Sequence, residues 1–180
     1  MMTTLRDMER AARVTLVPWL LDHGFAKRGH FNFVRERGEF FDVLMSEILS
    51  SGETLRMYAT CWSPAVDLNV DLKKLPRWVG VLTGNEVHTG FPDQGGVWDV
   101  KDQPNIDKAI DGLRVCIERA VLPWFASIVS IDDFLEAVDI NLKERPSWES
   151  RVVEIRAAFA ALSGKSGPGK SGISSEPDHQ

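Results

Sequence analysis

The sequence predicts an α+β domain: an N-terminal helix, an antiparallel β-sheet built as a meander, and C-terminal helices packed on one face of that sheet. Three observations carry this reading. Apolar residues recur every three or four positions from Leu5 to Leu20 and again from Ile106 to Trp124, the spacing of an amphipathic helix. Between these stretches Leu55, Met57, Ala59 and Cys61 alternate with Thr54, Arg56, Tyr58 and Thr60, the period-two mark of a strand with unlike faces. Short turns with Gly38 and Gly52 separate successive apolar runs, as in a meander.

The first helix is expected from Thr4 to His23, with Leu5, Met8, Ala12, Leu16, Trp19 and Leu20 on one face. Pro18 removes one hydrogen bond within it, which predicts a kink or break there, and Gly24 stands where a helix-ending glycine belongs. Phe31 to Val34, Glu39 to Leu49 and Thr54 to Cys61 read as three successive strands. Further short strands are expected at Ala65 to Leu72, Arg77 to Leu82 and Gly96 to Val100. The long helix that follows turns Ile106, Ile110, Leu113, Ile117, Val121 and Trp124 inward, and Asp107, Asp111, Arg114 and Glu118 outward. Ser130 with Asp133 resembles a capping box ahead of Phe134 and Leu135. Ser147 precedes a last stripe of Trp148, Val152, Ile155, Phe159 and Leu162, which can close the domain's own core or dimerise.

The 180 residues form one domain, 1–162, followed by a flexible tail, 163–180, dominated by Gly, Ser and Pro, which cannot bury enough surface to offset its ordering entropy. The formal charge of −5 argues against a dedicated nucleic-acid or anionic-membrane binder. Cys61 and Cys116 lie in apolar runs, too few for a disulfide framework, and are expected as buried thiols. No apolar run is long enough to cross a membrane, and no signal-peptide pattern opens the chain, so a cytoplasmic protein is expected.

Several motifs have the right letters in the wrong context. Gly164 to Ser171, GKSGPGKS, matches the phosphate loop, yet it lacks the leading strand and following helix that aim backbone N–H groups at phosphates. Asp67, Asn69 and Asp71 open like a calcium loop, but Leu72 and Trp78 stand where Gly and a bidentate Glu are required. His23, His30, His88 and His179 show no metal-ligand spacing. Asp102, Asp132 and Asp133 fit turn and capping roles better than acid–base pairs. No catalytic residue, cofactor or metal is therefore assigned.

Residues 1–38 hold seven basic and four acidic residues, and Phe25, Phe31 and Phe33 interleave with Lys27, Arg28, Arg35 and Arg37. Such a strip can stack single-stranded bases, although a charged edge strand over a phenylalanine core explains it better. Among six tryptophans, Trp19 and Trp124 sit on helix stripes, while Trp62, Trp78 and Trp98 fall in strands, their ends or loops. Tryptophan is enriched at interfaces, so Arg77, Trp78, Trp98 and Asp99 are the expected partner-binding edge.

The order of features also matches a known series. Gly24-Phe25-Ala26-Lys27-Arg28-Gly29 follows a first helix, and Phe31-Asn32-Phe33-Val34-Arg35 forms an aromatic strand before the meander. Val97-Trp98-Asp99-Val100 leads into a long helix ending Val121-Leu122-Pro123-Trp124-Phe125, and Ser130-Ile131-Asp132-Asp133-Phe134-Leu135 introduces a short one. This series resembles the bacterial domain-of-unknown-function 4304 family over about Leu5 to Val138. The chain departs from the pattern at Pro18 and at Ser46-Glu47-Ile48, where a Gln-containing stretch belongs. The resemblance implies an α+β fold. It brings no activity, and no functional residue carries over.

A small, acidic chain without catalytic motifs points first to a protein-binding module, such as an inhibitor or immunity-type partner of another bacterial protein, because inhibition needs a complementary surface rather than chemistry. An enzyme with a dispersed active site is the first alternative, marked by a pocket of perturbed titratable groups. A weak single-strand nucleic-acid binder using the N-terminal strip is the second.

Overall fold

The computed structural model describes residues 3–49, 52–66, 97–138 and 143–164. Of the strand expected at Ala65 to Leu72, Ala65 and Val66 are described and form a turn, with the Val66 N–H bonded to the Ser63 carbonyl. Its remainder, the strand expected at Arg77 to Leu82, the D-x-N-x-D sequence and the tail from residue 165 lie outside the described residues.

Helix α1 (Leu5–Ala12) opens with a capping box, in which the Thr4 hydroxyl accepts the Asp7 N–H and the Asp7 carboxylate accepts the Thr4 N–H. Helix α2 (Leu16–Asp22) follows after a turn at residues 13–15. The expected single helix is thus two, and the break lies one turn upstream of Pro18. A proline ring clashes with the carbonyl four residues back, here that of Val14, so the disruption falls at residues 13–15. Pro18 itself sits in the first turn of α2, where a missing N–H costs no intrahelical bond. The chain leaves α2 through Gly24 at φ +82°, with the Gly24 N–H bonded to the Leu21 carbonyl and the Phe25 N–H to that of Leu20. This paired arrangement needs a left-handed residue, which glycine adopts without a Cβ clash.

Five strands follow: β1 (Ala26–Arg28), β2 (Asn32–Arg37), β3 (Phe40–Ile48), β4 (Thr54–Trp62) and β5 (Val97–Asp99). They form one antiparallel sheet in the order β1-β2-β3-β4-β5. The register aligns Phe33 with Leu44 and Leu44 with Ala59, and Ile48 with Leu55 and Leu55 with Trp98. These side chains make the face that the helices cover. Strand β1 is an addition to the sequence reading. Its three residues are too few and too polar to show a period, and pairing with β2 alone makes them a strand.

Helix α3 (Gln103–Cys116) starts at Asp102, whose carboxylate accepts the Asn105 N–H. It runs through a π-helical turn (Ile117–Val121) into α4 (Leu122–Ser127). Pro123 accounts for the π turn, because its ring would strike the Arg119 carbonyl in a regular α-helix. The wider turn also moves the apolar stripe along by one residue. Phe125 is fully buried at its end and Trp124, expected there, is only half-buried. Helix α5 (Ile131–Glu136) carries the expected capping box, with the Asp133 carboxylate accepting the Ser130 N–H at 2.9 Å. The Ser130 hydroxyl, donating at 2.7 Å, together with the Val129 and Ser130 N–H groups, holds the Asp133 carboxyl below the usual carboxylate range.

Helix α6 (Trp148–Ser163) uses its stripe within the chain. Ile155 is buried and Phe159 lies 5.4 Å from the Phe40 ring, which itself stacks on Phe134 at 5.8 Å. Ser147 occupies the position before α6, but its side chain makes no capping bond. Met8, Ala12, Leu16 and Leu20 from α1 and α2 join Ile110, Leu113, Ile117 and Phe125 over Phe33, Leu44 and Ala59 in one continuous core.

Val34, Val43 and Trp62 form a second, smaller apolar cluster on the opposite face of the sheet, flanked by Phe41 and Met45. Thr60, which pairs with Val43, lies fully buried on that face, and its hydroxyl has no hydrogen-bond partner among the described residues. A buried polar atom without a partner costs about 1–3 kcal/mol. Thr60→Val is therefore expected to raise Tm in a thermal melt. A drop in Tm would show that the hydroxyl contributes to the fold.

Candidate functional site

Of the residues expected at a partner-binding edge, Trp98 and Asp99 are among the described ones, and the structure separates them. Trp98 is 6% exposed and lies under α3. A Cβ placed on Gly112 would come within 3.2 Å of its indole nitrogen, so the glycine makes room for the ring. Asp99 points to solvent and pairs with Lys101 at 3.0 Å. Arg77 and Trp78 lie outside the described residues. Phe25, Phe31 and Phe33 are all buried, so none offers a ring face to a base.

Lys101 leads from Asp99 to an open cleft of about 570 Å³ between α1 and the start of α3. Thr3, Asp7, Arg10 and Ala11 line one side; Lys101, Asp102, Gln103 and Ile106 line the other. Local sequence explains this shape. Thr3 is stitched to the sheet by its N–H to the Gly52 carbonyl at 3.1 Å and its hydroxyl to the Val100 carbonyl at 2.6 Å. Those bonds start α1 beside β5, and the Asp102 cap starts α3 at the same level. Met8 and Ile106 then bury their side chains in the shared core, while Asp7, Arg10, Asp102 and Gln103 are left on the wetter surface between the helices.

The carboxylates of this region are already engaged. Asp7 accepts the Thr4 hydroxyl at 2.7 Å as well as the Thr4 N–H, and these bonds hold its carboxyl below the usual range. Glu9, two residues on and on the other side of α1, is ion-paired to Lys27, with His30 Nδ1 3.4 Å from its second oxygen. The hydrogen bond from Lys27 holds Glu9 below its ordinary value. Asp99 is lowered in the same way by the Lys101 N–H and ammonium. None of these groups is poised to exchange a proton near neutrality.

The cations differ. Arg6, Arg10 and Arg13 are exposed and spaced i, i+4, i+7, one face of α1. Arg13 is the residue after α1 and keeps αR geometry, with φ −58° and ψ −32°, so the row continues past the helix end. Arg10 approaches Asp7 only at 3.6 Å with its side chain 77% exposed, and Arg6 Nε donates to His30 Nε2 at 3.4 Å. The arginine row thus borders the cleft at Arg10.

A second charged cluster is structural. Asp42 is fully buried on the helix side of the sheet, and its Oδ2 accepts Arg35 Nε at 2.8 Å and Arg37 Nε at 2.8 Å. Its Oδ1 accepts Arg37 Nη2 at 2.8 Å. The two arginines also donate to the His23 and Ile128 carbonyls, at the C-terminal ends of α2 and α4. The Nε groups and Arg37 Nη2 tie β2 to β3 through Asp42, and the two Nη1 groups join that pair to the helix ends. The adjacent Cys61 thiol is pushed up to about 12 by burial and by the Asp42 charge, which leaves it unreactive. Cys116, expected to be buried, is half-buried and packs against the main core.

The arginine spacing is visible in the sequence, but pooling the charges of residues 1–38 hides it. What no sequence signal shows is that Glu9 is occupied by Lys27, eighteen residues away. Among the described residues, no group of three or more His, Cys, Asp or Glu could hold a metal ion, and no helix is long and apolar enough to cross a membrane. No family model, curated protein or solved structure matches the chain.

Proposed function

We propose that the protein is a binding module that holds another protein through α1 and the Asp99 to Ile106 corner, in the manner of an inhibitor or immunity-type partner. One observation carries the reading: the cleft's carboxylates are consumed by helix caps and ion pairs, while its outward-facing groups are charged, exposed and suited to contact rather than to proton transfer. The motif order that resembles the 4304 family belongs to the same proposal and adds no activity to it. The buried Phe25, Phe31 and Phe33 favour a protein partner over a single-stranded nucleic acid.

The test is site-specific photocrosslinking of the full chain in the cells that express it natively. A benzoylphenylalanine at Gln103, in the cleft wall, is expected to capture one protein in good yield. The same group at Glu149, exposed on α6, is expected to capture none. Capture at Gln103 should disappear when Lys101→Glu is added. Equal capture at both positions, or none at either, contradicts the proposal.

A further inference from the structure

We infer that the arginine row of α1 docks a carboxylate-rich segment of the partner, so that the partner's contacting face is acidic. This rests on the binding reading above and names the chemistry of what is bound.

Overall the chain is acidic, at −5, and a uniform surface would repel an acidic partner. The α1 surface is not uniform. Its acids, Asp7 and Glu9, are turned into the capping box and onto Lys27. Its arginines are turned outward, and Arg13 makes no side-chain contact with an acid among the described residues. The field leaving this surface is therefore cationic, although the sequence of α1 alone looks charge-balanced.

Geometry narrows the partner further. Arg6 to Arg13 spans seven residues, or about 10 Å along the helix axis at 1.5 Å per residue. A partner helix with carboxylates at i, i+4 and i+7 repeats that spacing. Guanidinium groups bind carboxylates in a planar, two-point fashion, so three such pairs fix register as well as sign. Lys101 lies across the cleft from Arg10 with its ammonium paired to Asp99, so the three arginines carry the field. A nucleic-acid strand would find cations here but no exposed phenylalanine to stack on.

The probe is a synthetic helical peptide carrying glutamates at i, i+4 and i+7, titrated against the full chain by calorimetry. Its lysine counterpart and an oligothymidine serve as controls. The glutamate peptide is expected to bind, to weaken as salt rises, and to lose roughly tenfold in affinity in the Arg6→Gln/Arg10→Gln/Arg13→Gln variant. Lys108→Gln, exposed on α3 away from the cleft, should leave it unchanged. Circular dichroism of the triple variant shows whether α1 persists. Binding that survives the triple substitution, no binding, or oligothymidine binding as tightly as the peptide each overturns the inference. If the Gln103 cross-link persists while the peptide fails to bind, the acidic partner falls and the binding reading stands. Loss of the Gln103 cross-link removes the binding reading itself.

Discussion

Asp42→Ala is expected to destabilise the protein by about 3–5 kcal/mol, the cost of breaking a buried ion pair from one side. Asp42 is fully buried and serves two guanidinium groups that are themselves only 19% and 23% exposed. Removing the carboxylate leaves two positive charges facing each other in a poorly solvated pocket. It also loosens the ties to the His23 and Ile128 carbonyls, where a cation additionally favours the C-terminal end of a helix. Urea unfolding measures the loss. Asp42→Ala combined with Arg37→Met should recover part of it, since one orphaned charge is then gone. A loss below about 1 kcal/mol would mean that water reaches the arginines and that the cluster does not join helices to sheet.

Trp98→Ala carries the second large effect, about 3–5 kcal/mol, as for other buried aromatic truncations. The indole fills the space that Gly112 leaves open, and its removal leaves a cavity there. Asp99→Ala, one residue on and exposed, should stay within about 0.5 kcal/mol of the parent. Measured together by urea unfolding, the two variants separate a core residue from a surface one. A Trp98→Ala protein of unchanged stability would return the ring to the surface and the partner-binding edge to its sequence-predicted place.

Those two neighbours show where sequence reasoning stops. Period two identified β4 because its nine residues repeat the pattern four times, and Leu55, Met57, Ala59 and Cys61 are all buried as that pattern requires. Strand β5 has three residues, so no period exists to say which way Trp98 faces. The answer depends on Gly112 in another element, and only the folded chain brings it near. The same limit applies to α1 and α2. The apolar spacing of Met8, Ala12, Leu16 and Leu20 is legible, while the position of the break depends on which carbonyl the Pro18 ring strikes. At Trp124 and Phe125 a π turn shifts the stripe by one residue, and a strict helical count cannot register such a shift. Of the candidate site, Arg6, Arg10 and Arg13 are legible as spacing and Asp102 as a cap. The cleft between them is not, because it exists only where Thr3 is bonded to Gly52 and Val100.

Amide hydrogen exchange of the full chain, alone and with the partner captured at Gln103, reports where the partner sits. New protection is expected over residues 5–13 and 99–106, with exchange in α6 unchanged. Protection confined to α6, or spread evenly over the chain, would contradict a partner seated on α1 and the cleft.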